Sequence, residues 1–85
     1  MSNRSLATQA QLSETAILFS GVPKIYREHL YNGLKQYCNN PDYVFESDST
    51  EACSAYTAIT EAYNELCEVD KDQFAKGLDK LSNHI

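Results

Sequence analysis

The residue types that usually perform catalysis are few in this sequence, and their spacing forms no reactive group. The only histidines are His29 and His84, and no motif places a serine, threonine or cysteine nucleophile beside a base. The sequence also contains no HExxH metal-binding motif, no glycine-rich phosphate loop and no EF-hand calcium-binding pattern. We therefore expect that the protein is not an enzyme, and we predict neither a catalytic residue nor a cofactor.

The sequence also gives little support for a metal site or a disulfide bond. Glu61 and Glu65 stand one helical turn apart, but a dinuclear metal site in a helical bundle would need Glu-x-x-His pairs, which are absent. We therefore predict no metal site. The cysteines, Cys38, Cys53 and Cys67, are odd in number and form no CxxC pair, which favours small buried thiols in a reducing compartment. The alternative is a contact between Cys38 and Cys53 across a helical hairpin.

Charge is distributed unevenly along the chain, and this asymmetry is the strongest indication of function. The net charge is −5, yet the interval between Lys35 and Lys71 contains no lysine or arginine. The acidic residues of that interval are Asp42, Glu46, Asp48, Glu51, Glu61, Glu65, Glu68 and Asp70. Such a field attracts basic protein surfaces and accelerates their encounter, whereas it repels nucleic acids and anionic membranes. Nucleic-acid binding through Lys24, Arg27 and Lys35 is therefore disfavoured.

These charges predict a non-catalytic binding protein that docks an acidic hairpin face on a basic partner protein. Small stoichiometric inhibitors, immunity proteins and counter-defence proteins share this physical description. The predicted partner-binding residues are Asp42, Tyr43, Glu46, Glu61, Glu65 and Glu68. We expect Tyr43 to be exposed, as an aromatic anchor of the interface. The alternative is an ordinary solvated surface, since Asp48, Glu51 and Asp70 already have expected roles in helix capping.

A second hypothesis is a homo-oligomer with a ligand pocket or a scaffold role at its subunit interfaces. The first predicted helix is apolar on two sides, and Leu6, Ala10 and Ile17 form the side that we expect to meet another subunit. The surplus of tyrosine, six residues and no tryptophan, suggests a tyrosine-lined pocket for a ligand such as a nucleotide. The alternative is that Tyr26, Tyr37, Tyr56 and Tyr63 pack in the core with their hydroxyls at the rim of the bundle.

Helices must position these residues, because apolar residues recur at helical spacing and glycine and proline are few. The predicted helices span approximately residues 6–20, 23–38, 49–68 and 71–83. Their expected core stripes are Tyr26, Leu30, Leu34 and Tyr37, then Ala52, Tyr56, Ile59, Tyr63 and Leu66, then Phe74, Leu78, Leu81 and Ile85. Since the connectors are short, we predict an all-α fold, a small antiparallel bundle of three to four helices.

The predicted helices form a single domain over residues 1–85, in which we allow for disorder in residues 1–5. Residues 41–47 form a loop whose aromatic side chains fold back onto the core, and the hairpin between the second and third helices turns near residue 45. The longest apolar run is far short of the roughly 20 residues that cross a bilayer, and residues 1–12 do not resemble a signal peptide. We therefore expect a soluble, cytoplasmic protein with no membrane partner.

Overall fold

The computed structural model describes residues 6–85, apart from the side chain of His84. The four α-helices of this part are α1 (Leu6–Ser20), α2 (Lys24–Asn39), α3 (Thr50–Asn64) and α4 (Glu68–Gly77), and a 3-10 helix (Leu78–His84) continues α4. Residues 6–85 contain no strand, and the predicted small all-helical bundle is confirmed. None of the helices between residues 6 and 85 combines the length and the apolar composition of a membrane span. The prediction for residues 1–5 lies outside the described residues.

Every helix contributes side chains to one apolar core. Phe19 of α1, Leu30 and Leu34 of α2, Ile59 of α3 and Phe74 of α4 are almost completely buried. Those of α2, α3 and α4 lie on the predicted stripes, so helical periodicity identified the inward faces of these helices. The tyrosines of the same stripes are partly buried at the edge of the core, as expected for rings that end in a polar hydroxyl.

Helices α2 and α3 run in the same direction, and the antiparallel hairpin predicted for them is wrong. Near the end of both helices, Asn64 of α3 donates a hydrogen bond to the hydroxyl of Tyr37 of α2 (2.8 Å). Near the start of α2, the Nε2 atom of His29 lies 2.6 Å from the carbonyl oxygen of Glu46, which belongs to the connector. The connector (residues 40–49) therefore runs back along α2, and the start of α3 lies beside the start of α2.

Phe45 holds the connector against α2, in a space that Gly33 leaves open. A Cβ atom at residue 33 would lie 2.5 Å from an atom of the Phe45 ring. The ring stacks on His29, with 4.8 Å between centroids, and on Tyr56 of α3, with 4.4 Å. The prediction that connector aromatics fold back onto the core is therefore confirmed for Phe45. Because the ring contacts both helices, it fixes the path of the connector between them.

The parallel arrangement separates Cys38 from Cys53, so the contact considered between them is not formed. Cys38 lies beside Tyr63, which is about 15 Å of helical rise beyond Cys53. Cys53 instead donates a hydrogen bond to the carbonyl of Ser47 (3.4 Å). All three cysteines are free thiols, and burial raises the pKa of Cys38. Cys67 is exposed, contrary to the prediction of buried thiols, because it lies in the turn between α3 and α4.

Helix α3 ends at Asn64, four residues before the predicted boundary, and α4 begins at Glu68 instead of residue 71. The N–H groups of Glu65 and Leu66 bond to carbonyls three residues earlier, which tightens the last turn. This turn lets Leu66 pack against the core. It also places Glu68 in the first turn of α4, where negative charge is stabilised by the N-terminal end of the helix dipole.

The residues that cap α3 and α4 also differ from those predicted. Ser49, not Asp48, is the N-cap of α3, and its hydroxyl oxygen accepts a hydrogen bond from the N–H of Ala52 (3.1 Å). The same hydroxyl donates to the carboxylate of Glu51 (3.2 Å). The N-cap of α4 is Cys67, so Asp70 lies inside the first turn. Glu51 and Asp70 therefore still have local structural roles at these helix starts.

The fourth predicted helix changes from α to 3-10 geometry after Gly77. A Cβ atom at this position would lie 2.6 Å from Leu12, so the glycine allows α1 to pack closely against α4. Leu78 and Leu81 follow, and both are buried. Residues three apart lie on the same side of a 3-10 helix, which explains why this geometry suits the pair.

Candidate partner-binding surface

The parallel packing of α2 and α3 brings acidic residues together at one end of the bundle. Asp42 follows the end of α2, and its N–H bonds to the side chain of Asn40 (3.1 Å). Glu61 and Glu65 lie at the end of α3, and Glu68 begins α4 immediately afterwards. All four acidic side chains belong to exposed residues. We call this set, Asp42, Glu61, Glu65 and Glu68, the acidic end.

The acidic end lies where two helix dipoles already concentrate negative charge. The C-terminus of a helix carries a partial negative charge, which favours nearby lysine or arginine. Neither α2 nor α3 has a basic residue in its last turn. Within residues 6–85, neither Glu61 nor Glu65 forms an ion pair, whereas Glu68 lies 3.9 Å from the ammonium group of Lys71. Two like-charged glutamates one turn apart also repel each other.

The acidic residues therefore divide into those that stabilise local structure and those that do not. Glu51 accepts a hydrogen bond at the start of α3, and Glu68 interacts with a helix N-terminus and with a lysine. Within residues 6–85, the carboxylates of Asp42, Glu61 and Glu65 make no such interaction. They lie at or just beyond the C-termini of α2 and α3, where negative charge is unfavourable. These three residues are the part of the predicted set for which protein stability offers no explanation.

Two of the predicted partner-binding residues are placed differently from the rest. Glu46 is exposed, but it lies beside His29, towards the starting end of α2 and away from the acidic end. Tyr43 follows Asp42 and is half-buried instead of exposed. Its hydroxyl lies close enough to that of Tyr56 to help raise the pKa of Tyr56. Tyr43 can therefore present only part of its ring to a partner.

Two of the basic residues considered for nucleic-acid contact make contacts within the chain. The guanidinium of Arg27 donates hydrogen bonds to the carbonyls of Val22 (2.8 Å) and Ser20 (3.3 Å), which satisfies the C-terminal end of α1. Lys35 forms an ion pair with Asp79 (3.0 Å). The hydrogen bond within this ion pair raises the pKa of Lys35 and lowers the pKa of Asp79.

The tyrosines at this side of the bundle pack mainly against one another. The ring of Tyr37 makes edge contacts with Tyr56 and Tyr63, each with 6.0 Å between centroids. Tyr63 also contacts Phe74, with 5.7 Å between centroids. Burial raises the pKa of Tyr56 and of Tyr63 to about 12. The hydroxyl of Tyr56 is buried and has no hydrogen-bond partner within residues 6–85.

These raised pKa values predict a loss of stability at alkaline pH. The unfolded chain releases each tyrosine proton near pH 10, whereas the folded chain keeps the protons of Tyr56 and Tyr63 until about pH 12. Fewer protons are then bound in the unfolded state, so the free energy of unfolding is at its full value below pH 10 and decreases as the pH rises towards 12. Urea unfolding followed by circular dichroism across this range measures the slope.

Tyr56→Phe is the matched variant for this measurement. It should keep or raise the free energy of unfolding at neutral pH, because within residues 6–85 the hydroxyl that it removes is buried without a hydrogen-bond partner. It should also make the free energy of unfolding decrease less steeply above pH 10, because, of the two tyrosines, only Tyr63 then contributes. A stability that stays constant from pH 10 to 12 in both proteins would contradict the assigned burial of these hydroxyls.

The residues predicted for a subunit interface are exposed on the outer side of α1. Leu6 is 82% exposed and Ile17 is 66% exposed, and Ala10 is also exposed. Beside Ile17 an open groove of about 430 Å³ separates the end of α1 from α3. The other apolar residues of this groove are Leu18, Val22, Ala55 and Ala58, and residue spacing did not predict them. The feature of the sequence that could have indicated the groove is the pair of small residues Ser54 and Ala58, which lie one turn apart on an exposed face of α3.

No protein-family model matches this sequence, and comparisons with curated proteins and with solved structures give no significant match. Within residues 6–85, no three histidine, cysteine, aspartate or glutamate side chains lie close enough together to hold a metal ion. The function of the surface is therefore inferred from its geometry and charge.

Proposed function

We propose that this chain is a non-catalytic, cytoplasmic binding protein that docks its acidic end on a basic surface of a partner protein. A stoichiometric inhibitor, an immunity protein or a counter-defence protein would work in this way. The observation that supports the proposal is that Asp42, Glu61 and Glu65 lie at the same end of the bundle, where two parallel helices have their C-termini. A cationic partner would neutralise both the carboxylates and the partial charges of the helix ends.

The position of these acids favours binding over simple solubility. Acidic residues that only keep a protein soluble can occupy any exposed position, including helix N-termini, where they stabilise the fold. Glu61 and Glu65 instead lie where they oppose the dipole of α3 and repel each other. Local conflicts of this kind are expected at functional sites, where stability is lowered in favour of activity.

Affinity capture at two ionic strengths tests the proposal. The chain, immobilised through a tag, is exposed to lysate of its native host at low and high salt, and the captured proteins are identified by mass spectrometry. The proposal predicts one dominant basic protein that is recovered at low salt and reduced at high salt, because exposed charges are screened. Captured proteins without a basic bias, or capture that is insensitive to salt, would count against it.

Self-association is the second candidate function, supported by the exposed apolar side chains of Leu6 and Ile17. Sedimentation of the purified chain distinguishes it from the first. A mass above one chain that is independent of concentration would support a homo-oligomer. A single-chain mass across the accessible concentrations would favour the binding protein.

A further inference from the structure

We infer that the groove between α1 and α3 receives an apolar side chain from a basic helical segment of the partner. This inference rests on the proposed function and specifies the chemistry of the partner. The residues that form the α1–α3 groove are Ile17, Leu18, Val22, Ala55 and Ala58, with Glu51 and Ser54 at its edge.

The α1–α3 groove is the apolar part of the exposed surface of α3. Val22 and Ala55 are buried and form its floor, whereas Ile17 and Ala58 are exposed at its sides. An isoleucine that is 66% exposed beside such a floor leaves apolar area in contact with water. Covering this area with one branched or aromatic side chain would be favourable by the hydrophobic effect.

The groove continues into the acidic end along the outer face of α3. Ser54 and Ala58 line the groove, and they also line a second depression that contains Thr57 and Glu61. Glu51 and Glu61 therefore lie at the two ends of one continuous surface, about 15 Å apart along the helix. A partner helix lying on α3 would meet this surface with two cations about ten residues apart and an apolar residue between them.

Charge complementarity selects a basic partner over a second copy of this chain. Glu14 is the only charged residue of α1, and Glu51 and Glu61 are the only charged residues of α3. A symmetric dimer through this face would bring the acids of both copies together with no cation on either helix. A lysine- or arginine-bearing segment would instead pair with Glu51 and Glu61 while its apolar residue fills the groove.

Two helical peptides test the inference directly. Each has an alanine-rich sequence with two lysines ten residues apart, and they differ only in a central leucine or alanine. Binding to the full chain is measured by fluorescence anisotropy at low salt. The leucine peptide should bind about tenfold more tightly, a difference of roughly 1.4 kcal/mol, because only leucine fills the groove.

Ala58→Trp should fill the groove and remove most of the preference for leucine. Ala7→Trp is the matched control, since it makes the same substitution at another exposed helical position outside the groove, and it should keep the preference. Both variants are first checked for unchanged urea unfolding. Equal binding of the two peptides to the wild-type chain would overturn the groove assignment.

Glu61→Lys separates failure of this inference from failure of the proposed function. If the groove is wrong but the acidic end binds cations, the peptides bind equally well and Glu61→Lys weakens both. If the acidic end does not bind cations, Glu61→Lys changes neither. A stable dimer of the wild-type chain that Ala58→Trp dissociates would assign the groove to a second copy and contradict the inference.

Discussion

Glu65→Lys is expected to make the isolated chain more stable while weakening its binding of a basic partner at least about tenfold. Glu65 is the C-cap of α3, so a lysine there would interact favourably with the helix dipole. The new lysine would also pair with Glu61 one turn earlier, in the orientation that stabilises helices best. Together these effects should raise the free energy of unfolding by about 0.5 to 1.5 kcal/mol.

The stability part of this prediction needs only the purified chain. Urea unfolding is compared among the wild-type protein, Glu65→Lys and Glu14→Lys. Glu14 is an exposed glutamate in the middle of α1, so its replacement gives the same change in net charge away from a helix end. The control should stay within about 0.5 kcal/mol of the wild type. A destabilised Glu65→Lys variant would mean that the glutamate supports the fold, and its functional assignment would lose its basis.

Gly33→Ala should destabilise the protein by about 1 to 3 kcal/mol, because the added methyl group would overlap the ring of Phe45. The ring cannot easily move, since it is stacked between His29 and Tyr56. Phe45→Ala should itself cost about 2 to 4 kcal/mol, through the lost contacts and the cavity that remains.

In the double variant, we expect the effect of Gly33→Ala on the free energy of unfolding to change sign. Once Phe45 is alanine, nothing from the connector opposes a methyl group at residue 33. Gly33→Ala should then stabilise the chain by up to about 1 kcal/mol, because alanine is the better helix former. Urea unfolding of the two single variants and the double variant gives this coupling. Purely additive effects would show that Phe45 does not pack on α2, and the parallel path of α3 would then be wrong.

Helical periodicity was sufficient to predict the fold class and the inward faces of three helices, because apolar burial follows residue spacing directly. It could not predict the relative direction of α2 and α3. A connector of ten residues is long enough either to turn or to run back along a helix. The choice depends on the fit between Phe45 and Gly33, which are distant in sequence and show no pattern. The early end of α3 was missed because no glycine or proline marks it.

The composition of the candidate surface was visible in the sequence, but its geometry was not. Residues 36–70 lack lysine and arginine, and this pattern alone identified the acids. Asp42, Glu61 and Glu65 lie at the same end of the bundle because α2 and α3 are parallel, whereas the predicted hairpin would have placed Asp42 and Glu65 at opposite ends. The α1–α3 groove combines residues from separate helices, so neither helix shows it by itself.

The most direct test of the acidic end is the affinity of the captured basic partner for three proteins at one low ionic strength. Titration calorimetry gives the Kd for the wild-type chain, Glu65→Lys and Glu14→Lys. If the acidic end is the interface, Glu65→Lys binds at least about tenfold more weakly, and Glu14→Lys, with the same net charge, stays close to the wild type. Equal weakening by both variants would mean that the partner responds only to net charge, and would contradict a binding site at the acidic end.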